Sequence, residues 1–273
     1  MTTLHSNTAD AFTPKDYGNL VDLAVKAQSV AARTAHVVST DKVKIAFPKW
    51  IADPAVGWYA ENDTIAETDG ATDEVEVTPT KTAGISPLSN EIVSDSTPGV
   101  ADLTGKGLAN QIARAIDKAY LANTTAKGPN GLLSVAYSTV DTGAGLTNLD
   151  PFIAARYKAK NNGSDLTSWI MAPAVAEAVL KLKKATGSNE SLISYTDGEL
   201  RIAGLPVVES LDVDPATLFW GIPQEHVALV MRKGTEVRKF DNVHQDGIWL
   251  RAVARLGIGY LNPAGIVRGY DAP

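Results

Sequence analysis

The sequence predicts an α+β chain organised around a long two-armed excursion that returns straight into one long helix. Three observations carry that reading. Apolar residues fall at every second position from Lys42 to Trp50 and again from Glu74 to Lys81, as half-buried strands require. Leu108, Ile112, Ile116 and Tyr120 recur at four-residue intervals within a helix predicted from Gly99 to about Asn123. Beyond it, helical and strand-like patterns alternate from 134 to about 230, and residues 232–267 are strand-like again.

Taken in order, residues 1–41 read as an N-terminal arm. Pro14 punctuates a flexible start, and Leu20, Leu23, Ala24, Ala27, Val30 and Ala31 predict a short helix from Tyr17 to about His36. The excursion occupies 42–84, with a turn-rich acidic tip from Trp58 to Gly70. At about 3.3 Å per residue, arms of roughly fifteen residues reach on the order of 50 Å. A two-stranded hairpin is marginal in water by itself. A neighbouring subunit is therefore its expected support.

The helix at 99–123 stops at Lys127-Gly128-Pro129-Asn130-Gly131, a run of breakers. Leu149-Asp150-Pro151 then opens a helix carrying Phe152, Ile153, Ala155 and Tyr157, which closes at Asn162-Gly163. Ser168–Met171 reads as a short buried strand. Pro173 sits at the favoured first turn of a helix holding Val175, Val179, Leu180 and Leu182 and closing at Thr186-Gly187. Strands follow around Gly204, at 217–221 and at 226–231. In the last strand region Arg251 and Arg255 share one face, with Leu250, Ala252, Ala254 and Leu256 on the other. The excursion, long helix and C-terminal strands form one subdomain, and residues 134–230 are inserted as a second.

Composition narrows the function. A hydrophobic fraction of 44% with 21% charged residues is that of an ordinary globular protein. Without cysteine there is no disulfide framework, thiolate metal site or cysteine nucleophile. A net charge of −6 argues against a general nucleic-acid binder with a basic face, though a protein enclosing DNA without adhering to it would also be acidic. The polar start has no apolar signal segment, and no apolar run approaches the roughly 20 residues of a membrane helix. The expectation is a soluble intracellular product with no membrane partner.

Catalytic patterns fail on inspection. Gly99 to Lys106 approximates a phosphate loop, but the glycine spacing is one residue too long and Gly107 stands where Ser or Thr belongs. Gly143-Ala144-Gly145 reads as a loop. His5, His36, His226 and His244 have no metal-ligand spacing. Asp212 and Asp214 read as a solvated turn beside Pro215. No enzyme, metal or cofactor is called for.

The tip is more informative. From Glu61 to Thr80 the acidic residues Glu61, Asp63, Glu67, Asp69, Asp73, Glu74 and Glu76 occur with no Lys or Arg before Lys81. The ordinary reading is a solvated loop. The sharper one is a surface complementary to basic residues of another subunit, which would set register and specificity. Calcium is a third option, but the EF-hand pattern is missing.

These ordered features resemble the major capsid protein family of tailed double-stranded DNA phages, with the Hong Kong 97 type fold. Trp58-Tyr59-Ala60-Glu61 looks like that family's W-x-x-E at the head of its extended loop. Pro79-Thr80-Lys81 followed by Ser89-Asn90-Glu91-Ile92-Val93-Ser94-Asp95-Ser96 is similar to its return strand and S-x-E-L-L-x-D-S signal. Ile202 to Val208, with Gly204 and Pro206, resembles its G-x-P-V turn. Leu250-Arg251-Ala252-Val253-Ala254-Arg255 with Asn262-Pro263-Ala264 resembles its closing motif.

The resemblance implies a peripheral domain (85–133 and 231–273) holding a spine helix, an axial domain (134–230), an extended loop and an N-terminal arm. It implies a structural shell protein of the virion, assembled in the host cytoplasm as hexamers and pentamers around double-stranded DNA without sequence-specific binding. Scaffold and portal proteins are implied partners, with a decoration protein left open. Candidate assembly contacts are Trp58, Glu61, Asp63, Glu67, Asp69, Asp73, Glu74, Arg251 and Arg255. Two features depart from the family. The loop from Glu61 to Thr80 has no lysine for the covalent crosslink some members make. Only about forty residues precede the first loop strand, so scaffolding is expected to be separate, removed or unnecessary. Two other classes stay open: an encapsulin-type cargo compartment on the same fold, and an enzyme with an unrecognised site.

Overall fold

The structure is a computed structural model that describes residues 29–95, 99–143, 145–185, 188–193, 195–196, 198–232, 236–242 and 246–271, with backbone alone at 50, 52, 195 and 196. Most of the helix expected from Tyr17 lies outside the described residues, as do His5, His244 and Thr186-Gly187.

The first elements are α1 (Val30–Thr34), β1 (His36–Thr40), β2 (Ile45–Ala52), β3 (Ala71–Val77), β4 (Thr80–Ser89), α2 (Asn90–Asp95) and α3 (Val100–Leu121). Next come β5 (Ser138–Asp141), α4 (Asp150–Asn161), β6 (Ser168–Met171), α5 (Pro173–Leu180), β7 (Tyr195–Thr196), β8 (Glu199–Ile202), β9 (Leu205–Glu209) and β10 (Phe219–Ile222). β11 (Val227–Arg232), β12 (Glu236–Asn242), β13 (Gly247–Tyr260) and β14 (Val267–Tyr270) complete the chain.

The fourteen-residue β13 is the axis of a five-stranded sheet. β4 pairs along one of its edges, from Gly247↔Ser89 to Leu256↔Thr80. β12 and β11 share the other edge, and β1 runs parallel to β11 outside it. The alternation seen in the sequence holds: Leu250, Ala252, Ala254 and Leu256 are buried while Arg251 and Arg255 are exposed. Pro87 is tolerated because β4 is an edge strand that pairs with β13 alone.

The buried face of this sheet carries α3, which packs on β4 and β13. Ile112, Ile116 and Tyr120 are buried with Ala109 and Ala113 filling between them, and Leu108 is half-buried. Each large apolar side chain removed from water contributes roughly 1.5–3 kcal/mol. Leu103, outside the stripe, is exposed. Burial also pushes the Tyr120 phenol upward, so it stays protonated beside Thr34.

The helix expected to reach about His36 stops at Thr34, and His36–Thr40 is a strand of the sheet. β-Branched Val37, Val38 and Thr40 suit a pleated surface better than a helix.

The second sheet has the order β5-β14-β10-β6-β9-β8-β7. Its core is aromatic: Phe152 of α4 stacks on Phe219 at 4.4 Å, and Trp169 meets both edge-on at 5.2 and 5.4 Å. Trp169 Nε1 donates to the carbonyl of Ile202 at 2.9 Å, so the buried indole is satisfied. Ala203 and Gly204, both with positive φ (50° and 83°), form the tight turn between β8 and β9. In α4 the buried side chains are Phe152, Ala155 and Ala159, while Ile153 and Tyr157 are exposed. α5 ends at Leu180, short of the expected close near 186, because Lys183 pairs with Ser191 in an isolated bridge.

The two sheets are joined through a shared core. Tyr120, Leu121 and Leu132 pack with Ile170, Val208, Trp220 and Ile222. The last strand, β14, lies between β5 and β10, so the chain ends in the second sheet, not the first.

Candidate self-assembly surfaces

β2 and β3 form a two-stranded antiparallel sheet of their own, from Ile45↔Val77 at the base to Ala52↔Ala71 at the far end, with a register shift between Trp50 and Ala52. The pair is fastened to the body at its base. Val77 is buried, 4% exposed, against a notch in β13 made by two glycines. A Cβ on Gly257 would stand 2.7 Å from Val77 Cγ1, and one on Gly259 would stand 2.5 Å from Cγ2. Only glycine leaves room for that knob. Further out, Lys44 Nζ meets Glu76 Oε1 at 2.6 Å on an exposed surface.

Beyond Ala52 the tip, residues 53–70, leaves regular structure, and all but Gly70 are exposed. A few local hydrogen bonds shape it. Ala60 N donates to Asp63 Oδ2 at 3.0 Å, Ala66 N to Tyr59 Oη at 3.3 Å, and Thr68 Oγ1 to Ala55 O at 3.1 Å. Large apolar side chains point into solvent: Trp58 is fully exposed, Val56 is 97% and Ile65 is 70% exposed. Exposed apolar side chains grouped like this are of the kind that protein contact surfaces carry.

Glu61, Asp63, Glu67, Asp69, Asp73 and Glu74 are all exposed, and none forms an ion pair among the described residues. The structure therefore keeps Trp58 with Glu61, Asp63, Glu67 and Asp69 in one tip and Asp73 and Glu74 on its return arm. It does not bring them to Arg251 or Arg255 of the same chain.

Those arginines lie on the outward face of the first sheet. Strand register sets Lys81 beside Arg255, and sets Ile85, Arg251 and Arg238 in one row. Pro87, Trp249 and Phe240 form the next row. Arg251 sits over the Phe240 ring at 4.5 Å, and Arg238 is bonded to Glu236. Like charges directly opposite each other destabilise a sheet. This face carries two such pairs, Lys81–Arg255 and Arg238–Arg251, interleaved with exposed Ile85 and Phe240. It suits an acidic partner with apolar side chains. Sequence reasoning found Arg251 and Arg255 from alternation but missed Lys81 and Arg238, whose place follows only from strand register. Ile153 and Tyr157 of α4 add a smaller exposed apolar patch, lining a shallow cavity with Arg156, Lys160 and Ala203.

The near-motifs resolve into structure. Gly99 to Lys106 spans the cap and first turns of α3. Asp214 accepts from Ala216 N at 2.8 Å and lies 3.6 Å from Arg268, a turn anchored to β14. His226 Nδ1 is hydrogen-bonded to Ser164 Oγ at 2.8 Å. Among the described residues no cluster of His, Cys, Asp and Glu could hold a metal ion, and no helix is long and apolar enough to cross a membrane.

Comparison with known proteins gives the same architecture. The profile of the phage capsid family matches residues 12–270. Among solved structures, the capsid of an empty GTA particle superposes with a TM-score of 0.76 at 17% identity, covering 99% of both chains. A chain of Microbacterium phage Oxtober96 gives 0.75 at 14% identity, covering 89% of this chain and 91% of that one. One from Mycobacterium phage Adephagia gives 0.73 at 13% identity, covering 100% and 99%. At these identities the likeness is one of fold. No curated protein matches significantly.

Proposed function

The chain belongs to the phage capsid family, and from that premise we propose that its acidic tip is the element that joins one subunit to the next. The protein is a structural, self-assembling capsid subunit; the comparisons give an encapsulin-type compartment no better footing. In the proposed contact, Glu61, Asp63, Glu67 and Asp69 of one copy lie over Lys81, Arg251 and Arg255 of a neighbour. Trp58 covers the exposed apolar side chains between them, and Asp73 and Glu74 extend the acidic edge along the arm. Hexamers and pentamers built this way would enclose double-stranded DNA in the host cytoplasm, with a portal protein and, where one is needed, a scaffold as partners.

The observation that carries this reading is the pair of unsatisfied surfaces on one chain: a fully exposed Trp58 among unpaired carboxylates, and like-charged cation pairs around Ile85 and Phe240. Each contact is modest, but repetition around a closed shell compounds it. The test is charge reversal. The Glu61→Lys, Glu67→Lys, Asp69→Lys variant should fold, elute as free subunits and give no particles by negative-stain microscopy. Adding Arg251→Glu and Arg255→Glu should restore particles. Normal shells from the triple variant alone would refute the contact.

A further inference from the structure

The solvent side of α3 has a pattern that the assembly contacts do not use. Lys106, Asn110, Arg114 and Lys118 follow one another at four-residue spacing and all are exposed. From Leu103 to Leu121 the only acid is Asp117, which is buried. Lys106, Arg114 and Lys118 form no ion pair among the described residues. A chain of net charge −6 thus keeps a ridge of three cations and one amide on the longest helix among the described residues.

The two cationic surfaces differ in what lies between the charges. The outward sheet face interleaves them with exposed Ile85 and Phe240, which suits a protein segment. The ridge is flanked by Gly107, Gln111 and Ala115, with no large apolar side chain from Lys106 to Lys118 on the exposed side. A ligand here is held by charge and by amide hydrogen bonds alone. Along the axis the cations stand about 12 and 6 Å apart. A duplex carries one phosphate charge per roughly 1.7 Å of its axis, a line charge dense enough to attract such a ridge whatever the base sequence.

We propose that the Lys106–Lys118 ridge binds the phosphate backbone of a nucleic-acid duplex without reading its bases. The proposal rests on the shell reading only for where the ligand is met. α3 covers the buried face of the sheet and the arginines the opposite one, so a neighbour seated on the arginines leaves the ridge open on the other side.

The test is fluorescence anisotropy of a labelled mixed-sequence duplex with the full-length chain, titrated from about 50 to 200 mM salt. Three phosphate contacts predict a log–log slope of about −2.7 and a fall in affinity of roughly forty-fold across that range. Lys106→Gln, Arg114→Gln, Lys118→Gln together should abolish binding. Arg114→Gln alone, the milder change, should make the slope shallower by about 0.9. Arg238→Gln, Arg251→Gln, Arg255→Gln, on the other face, should leave duplex binding intact. Unchanged binding by the ridge triple, no binding by the wild type at low salt, or preference for poly-glutamate over the duplex would each overturn the assignment. Shell formation by the ridge triple is imaged separately: particles without duplex affinity support the assignment. Loss of the sheet-face contact with the ridge slope unchanged would count against the assembly reading alone.

Discussion

Ser29 donates its hydroxyl to Asp117 Oδ1 at 2.6 Å, tying the described start of the chain to the C-terminal end of α3. The same oxygen accepts from Ala31 N at 3.0 Å, so a helix carboxylate caps the first turn of α1. Asp117→Ala removes the acceptor from buried donors and should lower subunit stability by about 1–3 kcal/mol in chemical denaturation. An unchanged midpoint would show that α1 is held by packing alone.

The same carboxylate has a pH signature. Desolvation holds its pKa above the ordinary 3.8, although the Ser29 and backbone donors pull the other way. Above 3.8 the folded state then binds the proton more tightly than the unfolded one, so this group's contribution falls as pH rises through the folded pKa. Asp117→Asn keeps an acceptor oxygen and removes the titration. On acidification from neutral pH towards 4, wild type should gain thermal stability relative to that variant. A pH-independent difference between their melts would contradict the sign.

Trp58 offers a test that separates assembly from folding. Because its ring is fully exposed, Trp58→Ala should change the subunit's unfolding free energy by less than about 0.5 kcal/mol. Particle yield should collapse. A variant that melts lower but assembles normally would mean the indole serves its own subunit.

The Lys44–Glu76 pair is close, at 2.6 Å, but both side chains are about half exposed or more (57% and 49%). Such pairs contribute roughly 0–1 kcal/mol and are screened by salt. Lys44→Ala should therefore shift the denaturation midpoint only slightly, and less at high salt. A large loss would make the pair a fastener of the hairpin.

Gly259→Ala tests the notch. The added methyl must displace Val77, and overpacking of this kind costs about 1–3 kcal/mol. Both the subunit melt and the particle yield should fall, whereas Gly107→Ala, with nothing near its Cβ position, should lower neither.

Much of this was legible in the sequence wherever one element answers to its own periodicity. The helix expected at 99–123 is α3 at Val100–Leu121, since four-residue spacing records the buried face directly. Arg251 and Arg255 were placed by two-residue alternation. What failed depended on distant partners. His36–Thr40 is a strand because it lies against Ala228–Arg232, some 190 residues on, and nothing local marks that pairing. α4 buries small Ala155 and Ala159 and leaves Ile153 and Tyr157 outside, a choice of face that hydrophobicity alone does not mark. Gly257-Ile258-Gly259 reads as a plain strand end until Val77 is seen between its glycines.

That seat at Val77 makes the hairpin a lever with its fulcrum at one end. About 20 Å of strand separates Val77 from Ala71, where the tip begins. A tilt of about 10° in the notch swings that end by roughly 3.5 Å over such a length. Because β13 presents no side chain at Gly257 and Gly259, a small tilt about Val77 displaces only backbone contacts, so one sequence would bring its tip to neighbours that present themselves at slightly different angles. Curvature in a closed surface would then be taken up at one pivot in each copy.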